Sequence, residues 1–274
     1  MTLRTRGDLC PGVLRPWPAA DGALVRLRLP GGHLSRTTLA SLLDVAETYG
    51  DGRVHLTKRA NLQLRALPLS NGVLPAEVIA AIRDTGLLPH PSHELVRNIL
   101  VSPLCGLVGG RVDLRPVTAE LDERMCATPS LAKLSGRFLV VLDDGRGDLA
   151  GRSCDLGLVA LSADEVQLRI GSLHWGPVVP LSEAAARLTG LARAFQQVRG
   201  SAWHIDELPV PPASQDPDPR ALVSSPPPAY GEVAKDVVHV AVEGGVIDRE
   251  FSYDLPGRLV VTPWKSLVTH HAVR

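Results

Sequence analysis

The 274-residue chain has no two cysteines close together. Its four, Cys10, Cys105, Cys126 and Cys154, have 94, 20 and 27 residues between them. Short-spaced pairs are the direct way to bring thiolates together on an iron–sulfur cluster, and none is present. Long apolar runs are missing too. No stretch of ~18 apolar residues occurs, so no bilayer-spanning helix is expected. The opening MTLRTRGDLCPGVLRPW lacks the apolar h-region of a secretory signal, so the expected compartment is the cytoplasm, with the cysteines as thiols. Net charge is absent as well, at a formal +0, which removes electrostatic support for non-specific nucleic-acid binding. Lysine is scarce among the 29 basic residues. Arginine, which dominates, suits bidentate pairing with carboxylates or phosphates.

What is present reads as globular: 45% apolar and 21% charged residues, enough chain for one large domain or two smaller ones. ALVRLRL at 23–29 reads as a strand and PGGH as a turn. Ser35 then caps a helix with Leu39, Leu42, Leu43 and Ala46 on one face and Gly50 at its end. LPAEVIAAIRDTG at 74–86 reads as a second helix. Residues 94–105 form a mixed apolar run. GRFLVVLDDGRGD at 136–148 is a strand and turn, 154–161 and 165–171 a strand pair, and 181–200 a helix capped by Ser182. PVPPASQDPDPRALVSSPPP, at 209–228, is too proline-rich for a helix or central strand and reads as a linker or extended strap.

One stretch is unusual. HLTKRANLQL at 55–64 has a strand's apolar positions, yet Lys58, Arg59, Asn61 and Gln63 crowd hydrogen-bonding groups among them. It is either a solvated edge or the lining of a site for an anion. Residues 52–67 form one long strand, or two joined by a kink near Lys58 to Asn61. The stretch also recurs: GRLVVTPWKSLVTHHA at 257–272 matches 52–67, and VHVAVEGGVID at 238–248 matches LVRLRLPGGHLS at 24–35. The segment between the matched blocks is shorter in the second copy, so its helix is largely deleted.

The motifs CPGVLRPWPAADGALVRLRLPGG, LTKRANLQLRAL, VRNILVSPLCG, LSGRFLVVLDDGRGDL and TPWKSLV resemble the nitrite/sulfite reductase family, within it most the precorrin-3B synthase branch of cobalamin biosynthesis. The resemblance implies an α+β fold: a ferredoxin-like half-domain at 1–90, a central α/β lobe at 91–208, a proline-rich linker at 209–232, and an abbreviated second ferredoxin-like repeat at 233–274, related to the first by a pseudo-twofold. It implies an oxidoreductase acting on a tetrapyrrole, siroheme or precorrin-like. The tetrapyrrole-binding residues it points to are Thr57, Arg59, Asn61, Gln63, Arg97, Asn98 and Arg137. Guanidinium groups would pair with the macrocycle's carboxylates, and amides would satisfy its remaining acceptors. Where the family often has a further Lys, this chain has Leu139, which weakens a claim to reduce nitrite or sulfite.

The family's redox-active members also carry a [4Fe–4S] cluster on C-x5-C and C-x3-C pairs after the second repeat. Those ligands are not in this chain, which stops at Arg274. Catalytic residues are therefore left unassigned and no metal ligands are expected. Cys105 as an axial ligand, a metal at His90 and His93, and burial of His270 and His271 are all disfavoured against ordinary thiol, loop and solvated roles. Two readings stay open. One is a precorrin-3B synthase-like oxidoreductase. The other is a cluster-less relative that binds a tetrapyrrole or a partner chain supplying cluster or electrons. No nucleic-acid or membrane partner is expected.

Overall fold

The computed structural model describes residues 8–209 and 214–270; His271 lies outside them. In chain order, the first segment contains β1 (Trp17–Ala19), β2 (Gly22–Leu27), β3 (His33–Ser35), α1 (Arg36–Tyr49), β4 (Val54–Leu56), β5 (Leu62–Leu67) and α2 (Ala76–Asp84). The middle segment contains β6 (Ile99–Val101), α3 (Arg115–Cys126), β7 (Val140–Asp143), β8 (Leu156–Ala160), β9 (Glu165–Ile170), β10 (His174–Pro180) and α4 (Ala184–Val198). The last contains β11 (Gly231–Ala234), β12 (Val237–Val240), β13 (Val246–Ile247), α5 (Arg249–Tyr253), β14 (Arg258–Val261) and β15 (Leu267–His270). Residues 9–95 and 228–270 form one compact unit, and Val96–Pro227 with Asp8 the other.

The first unit holds both copies of the repeat. In the first copy, β2 and β5 turn Val25, Leu27, Leu62 and Leu64 inward, and α1 buries Leu39, Leu42, Leu43 and Ala46. Alternation on the strands and helical spacing on α1 thus supply one apolar layer. Ser35 caps α1 by accepting the Thr38 amide at 2.9 Å, and Gly50 closes it.

Residues 52–67 are neither a continuous strand nor a kinked one. Strands β4 and β5 pair antiparallel, Leu56 opposite Leu62, around a tight loop at Thr57–Asn61. The Thr57 amide donates to the Asn61 carbonyl at 3.0 Å, and Thr57 Oγ1 accepts the Asn61 amide at 3.1 Å. The second copy repeats this loop at Thr262–Ser266, with the same amide-to-carbonyl bond at 3.0 Å. Thr262 Oγ1 likewise accepts the Ser266 amide at 3.3 Å. Ala60 and Lys265 hold the same loop position at φ 54° and 61°. A hydroxyl at the loop's first residue captures amides that the hairpin leaves over. The second helix survives as the five-residue α5, capped by Asp248.

Each sheet takes one strand from the other copy. The orders are β1-β2-β5-β4-β13 and β11-β12-β15-β14-β3, so β3 of the first copy pairs with β14 and β13 of the second with β4. His270, expected in solvent, is buried on β15.

The second unit is an α/β lobe. Strands β6, β7 and β8 run parallel, and β9 and β10 extend the sheet antiparallel. Every residue of β7 and β8 is buried, as expected of strands covered on both faces. Helix α4 packs Phe195 on Phe138, ring centroids 5.7 Å apart. Ser182 does not cap it: a 3₁₀ turn at Leu181–Glu183 leads into the helix, and no side chain caps the first turn. In the described part of the proline-rich stretch, Gln167 holds both the Asp216 carbonyl and the Asp218 amide, and a 3₁₀ turn follows at Pro219–Leu222.

DDGRGD is a turn organised by Asp143, whose carboxylate accepts the amides of Gly145, Gly147 and Leu149. Next to it, Asp148 accepts from the Ser102 hydroxyl at 2.7 Å, while its Oδ2 is buried with no partner among the described residues. Burial raises its pKa from 3.8 to about 7. A carboxyl raised on folding stabilises below its unfolded pKa and loses that contribution as pH climbs through the folded one. Asp148→Asn should therefore stabilise the protein at pH 8 by about 2 kcal/mol, with the gain vanishing near pH 4. Denaturant unfolding at several pH values checks this; a pH-independent difference would refute it.

Candidate functional site

The sheet face turned away from α1 explains the polar residues of HLTKRANLQL. Arg26 on β2 lies opposite Gln63 on β5, Gln63 opposite His55 on β4, and His55 opposite Val246 on β13. Alternation places the leucines of these strands on the helix side and this polar row on the other.

A pocket of about 530 Å³ opens on that face, inside the range of roughly 300–1,000 Å³ usual for small-molecule sites. Its cations are Arg26, Lys58, Arg59, Arg65 and Lys265. Thr57 and Gln63 add a hydroxyl and an amide, and Gly244 and Gly245 form part of the wall. No Asp or Glu is among the described lining residues. Of the lining groups, Arg65 meets Asp21 at 3.2 Å and His55 meets Asp51 at 2.7 Å.

Beside the pocket, the charge is concentrated in an unusual way. Arg28 is 3% exposed. Its Nη1 donates to the carbonyls of Pro11 at 2.6 Å and Arg26 at 2.8 Å. Its Nε and Nη2, and the Nε of Arg26, are buried with no acceptor among the described residues. Desolvation, then the neighbouring Arg26 charge, pushes the Arg28 pKa down to about 10, and desolvation lowers that of Arg26. Both stay cationic at neutral pH. A buried guanidinium with open donors is costly unless an anion meets it, so this end of the pocket is built for negative charge. Arg26, Arg28 and Lys265 were not among the expected site residues. The alternation of ALVRLRL could have flagged the first two, once the pairing of β2 with β5 was known.

Of the expected residues, Thr57, Arg59 and Gln63 line the pocket together. Asn61 does not: it is 1% exposed, and its Oδ1 accepts the Leu29 amide at 2.9 Å, tying the hairpin loop to the strand end before Pro30. Its side chain points inward because that amide needs an acceptor. Arg97, Asn98 and Arg137 belong to the other unit. Arg97 forms a bidentate pair with Asp122 at 2.8 and 2.6 Å. Asn98 donates to the Gly136 carbonyl at 3.1 Å, and the Arg137 guanidinium sits 5.2 Å from the Trp203 ring centroid.

Burial pushes the Cys105 thiol up to about 12 and those of Cys126 and Cys154 up to about 11, as apolar surroundings do. Cys105 Sγ accepts the Leu114 amide at 3.0 Å. Among the described residues, no three His, Cys, Asp or Glu side chains converge as metal ligands.

Residues 18–81 match the family model described as the nitrite/sulfite reductase ferredoxin-like half domain. The chain is 32% identical over 165 residues to a precorrin-3B synthase from Sinorhizobium sp, covering 57% of this chain and 33% of that protein. It is 29% identical over 133 residues to a ferredoxin–nitrite reductase from Leptolyngbya laminosa, covering 46% and 26% respectively. The chain thus spans a third or less of the length of these curated relatives. The solved structure of the NirA protein from Mycobacterium tuberculosis superposes with a TM-score of 0.68 at 19% identity, over 91% of this chain and 54% of that one. At that identity the superposition establishes the fold. No helix among the described residues is long and apolar enough to cross a membrane.

The Arg97–Asp122 pair is mostly shielded, at 10% and 18% side-chain exposure. Arg97→Ala should cost about 3 kcal/mol by leaving Asp122 without its cation. Arg97→Met with Asp122→Leu should recover most of that loss. Urea unfolding of the three variants checks it, and an Arg97→Ala chain as stable as wild type would contradict it.

Proposed function

We propose that the chain is a member of the nitrite/sulfite reductase family, whose ferredoxin-like half-domain model matches residues 18–81, and that its basic pocket holds a polycarboxylated tetrapyrrole. The observation that carries this is the pocket's charge: among the described residues, five cationic side chains and no carboxylate in its lining, beside buried guanidinium nitrogens without acceptors. Arg59 and Arg26 would pair with carboxylates at the macrocycle's edge. Thr57 and Gln63 would take its remaining hydrogen bonds.

The likeness to a precorrin-3B synthase supports an oxidoreductase that works on such a macrocycle in cobalamin biosynthesis, with electrons or oxidant supplied from outside the residues described. The macrocycle would supply the redox-competent ring. This chain's own groups bind its carboxylates, fix its orientation and hold positive charge against it. The donor set favours a second reading for the isolated chain, a tetrapyrrole-binding relative that holds no cluster, because among the described residues no three His, Cys, Asp or Glu side chains converge. Iron analysis and the visible spectrum of anaerobically purified protein separate the two: bound iron with broad absorption near ~400 nm supports the first.

Binding itself is tested with uroporphyrin as probe. Wild-type protein should show a raised thermal midpoint that grows with ligand concentration. Arg59→Ala should weaken the dissociation constant at least about tenfold, the loss of one charge-assisted contact, and the affinity should fall with added salt. Wild-type affinity in Arg59→Ala would reject the assignment.

A further inference from the structure

Two repeats that exchange strands should create two equivalent pockets, one on each sheet. The hairpin register fixes the correspondence: Leu56 opposes Leu62 and Val261 opposes Leu267, so Thr57 matches Thr262, Arg59 matches Trp264 and Ala60 matches Lys265. Along β2 and β12 the Gly-Gly turns align Arg26 with His239. Gln63 matches Val268.

On the second face the places of Arg59, Arg26 and Gln63 are thus taken by Trp264, His239 and Val268, and the chain itself packs over His239. His239 is 2% exposed. Its ring reaches Ser266 Oγ at 2.7 Å and the Pro228 carbonyl at 2.9 Å. Tyr230 lies over it with ring centroids 4.6 Å apart. Pro228 to Tyr230 thus stands where a ligand of the second repeat would lie.

The second repeat sends a cation the other way. Lys265 lines the pocket of the first repeat, while its counterpart Ala60 offers a methyl group at the matching place. Lys265 holds φ 61°, a conformation uncommon for a residue with a side chain. Gly245 makes room for it: a Cβ there would stand 2.8 Å from Lys265 Cβ. We propose that Lys265, carried by the second repeat, is a ligand-binding residue of the first repeat's pocket. This rests on reading that pocket as a polycarboxylate site.

The test titrates uroporphyrin into wild type, Lys265→Gly, Lys265→Arg and Ala60→Gly. Glycine suits φ 61°, so Lys265→Gly removes the charge without straining the loop. Lys265→Gly should bind about tenfold more weakly than wild type, with a shallower salt dependence and an unfolding midpoint close to wild type. Lys265→Arg should restore most of the affinity, and Ala60→Gly should bind as wild type. Wild-type affinity in Lys265→Gly overturns the inference and leaves the pocket assignment standing. No binding by the wild-type chain overturns both.

Discussion

The reciprocal loan of one short strand between the two repeats is the constraint on which the site depends. Strand β3 leaves the first copy to pair with β14, and β13 leaves the second to pair with β4. The exchange needs the backbone to turn sharply just before each borrowed strand. Both turns are Gly-Gly, with φ 70° and 75° at Gly31 and Gly32, and 60° and 70° at Gly244 and Gly245. Residues with a Cβ pay heavily to occupy two successive left-handed positions. Because β13 lies against β4, the glycine turn before it and the hairpin loop of the second copy reach the polar face of the first sheet, and a pocket with walls from both repeats results.

Within that frame, the copies have diverged in their chemistry while keeping their backbone. The loop that begins with Thr57 and the one that begins with Thr262 share their hydrogen bonds and their left-handed fourth residue. Yet one presents Lys58 and Arg59, the other Pro263 and Trp264. The first sheet accumulates buried positive charge, an arrangement that works against stability unless a counter-charge arrives. The second closes over an imidazole whose own pKa burial lowers, with a backbone carbonyl and a hydroxyl as its partners. The same hairpin thus lines an open basic pocket in one copy and serves as packing in the other.

How much of this could be read from residues alone varied with the range of the interaction. Helix α1, with its Ser35 cap and Gly50 stop, depends on contacts three and four residues apart, and it was legible in full. So was the repeat, since the Gly-Gly turn and the Thr-led loop are local motifs. The interruption between Lys58 and Asn61 was visible only as a kink, because the choice between bending a strand and reversing it depends on whether the two halves can pair. Helix α3 carried too weak an apolar stripe to stand out. Ser182 had a good capping side chain, but a 3₁₀ turn took the place of the cap.

The sequence by itself determined the resemblance to the nitrite/sulfite reductase family, the two-copy architecture and the concentration of polar groups at 55–64, since each is written in neighbouring residues. Only the tertiary structure decided which of those groups act together. It turned Asn61 inward to a backbone amide, placed Arg97, Asn98 and Arg137 in the other unit among partners of their own, and brought Arg26, Arg59 and Lys265 to one pocket. The physical reason is register: whether two side chains from distant segments share a face is set by which strands pair and where, and a slip of one residue would send each to the opposite side.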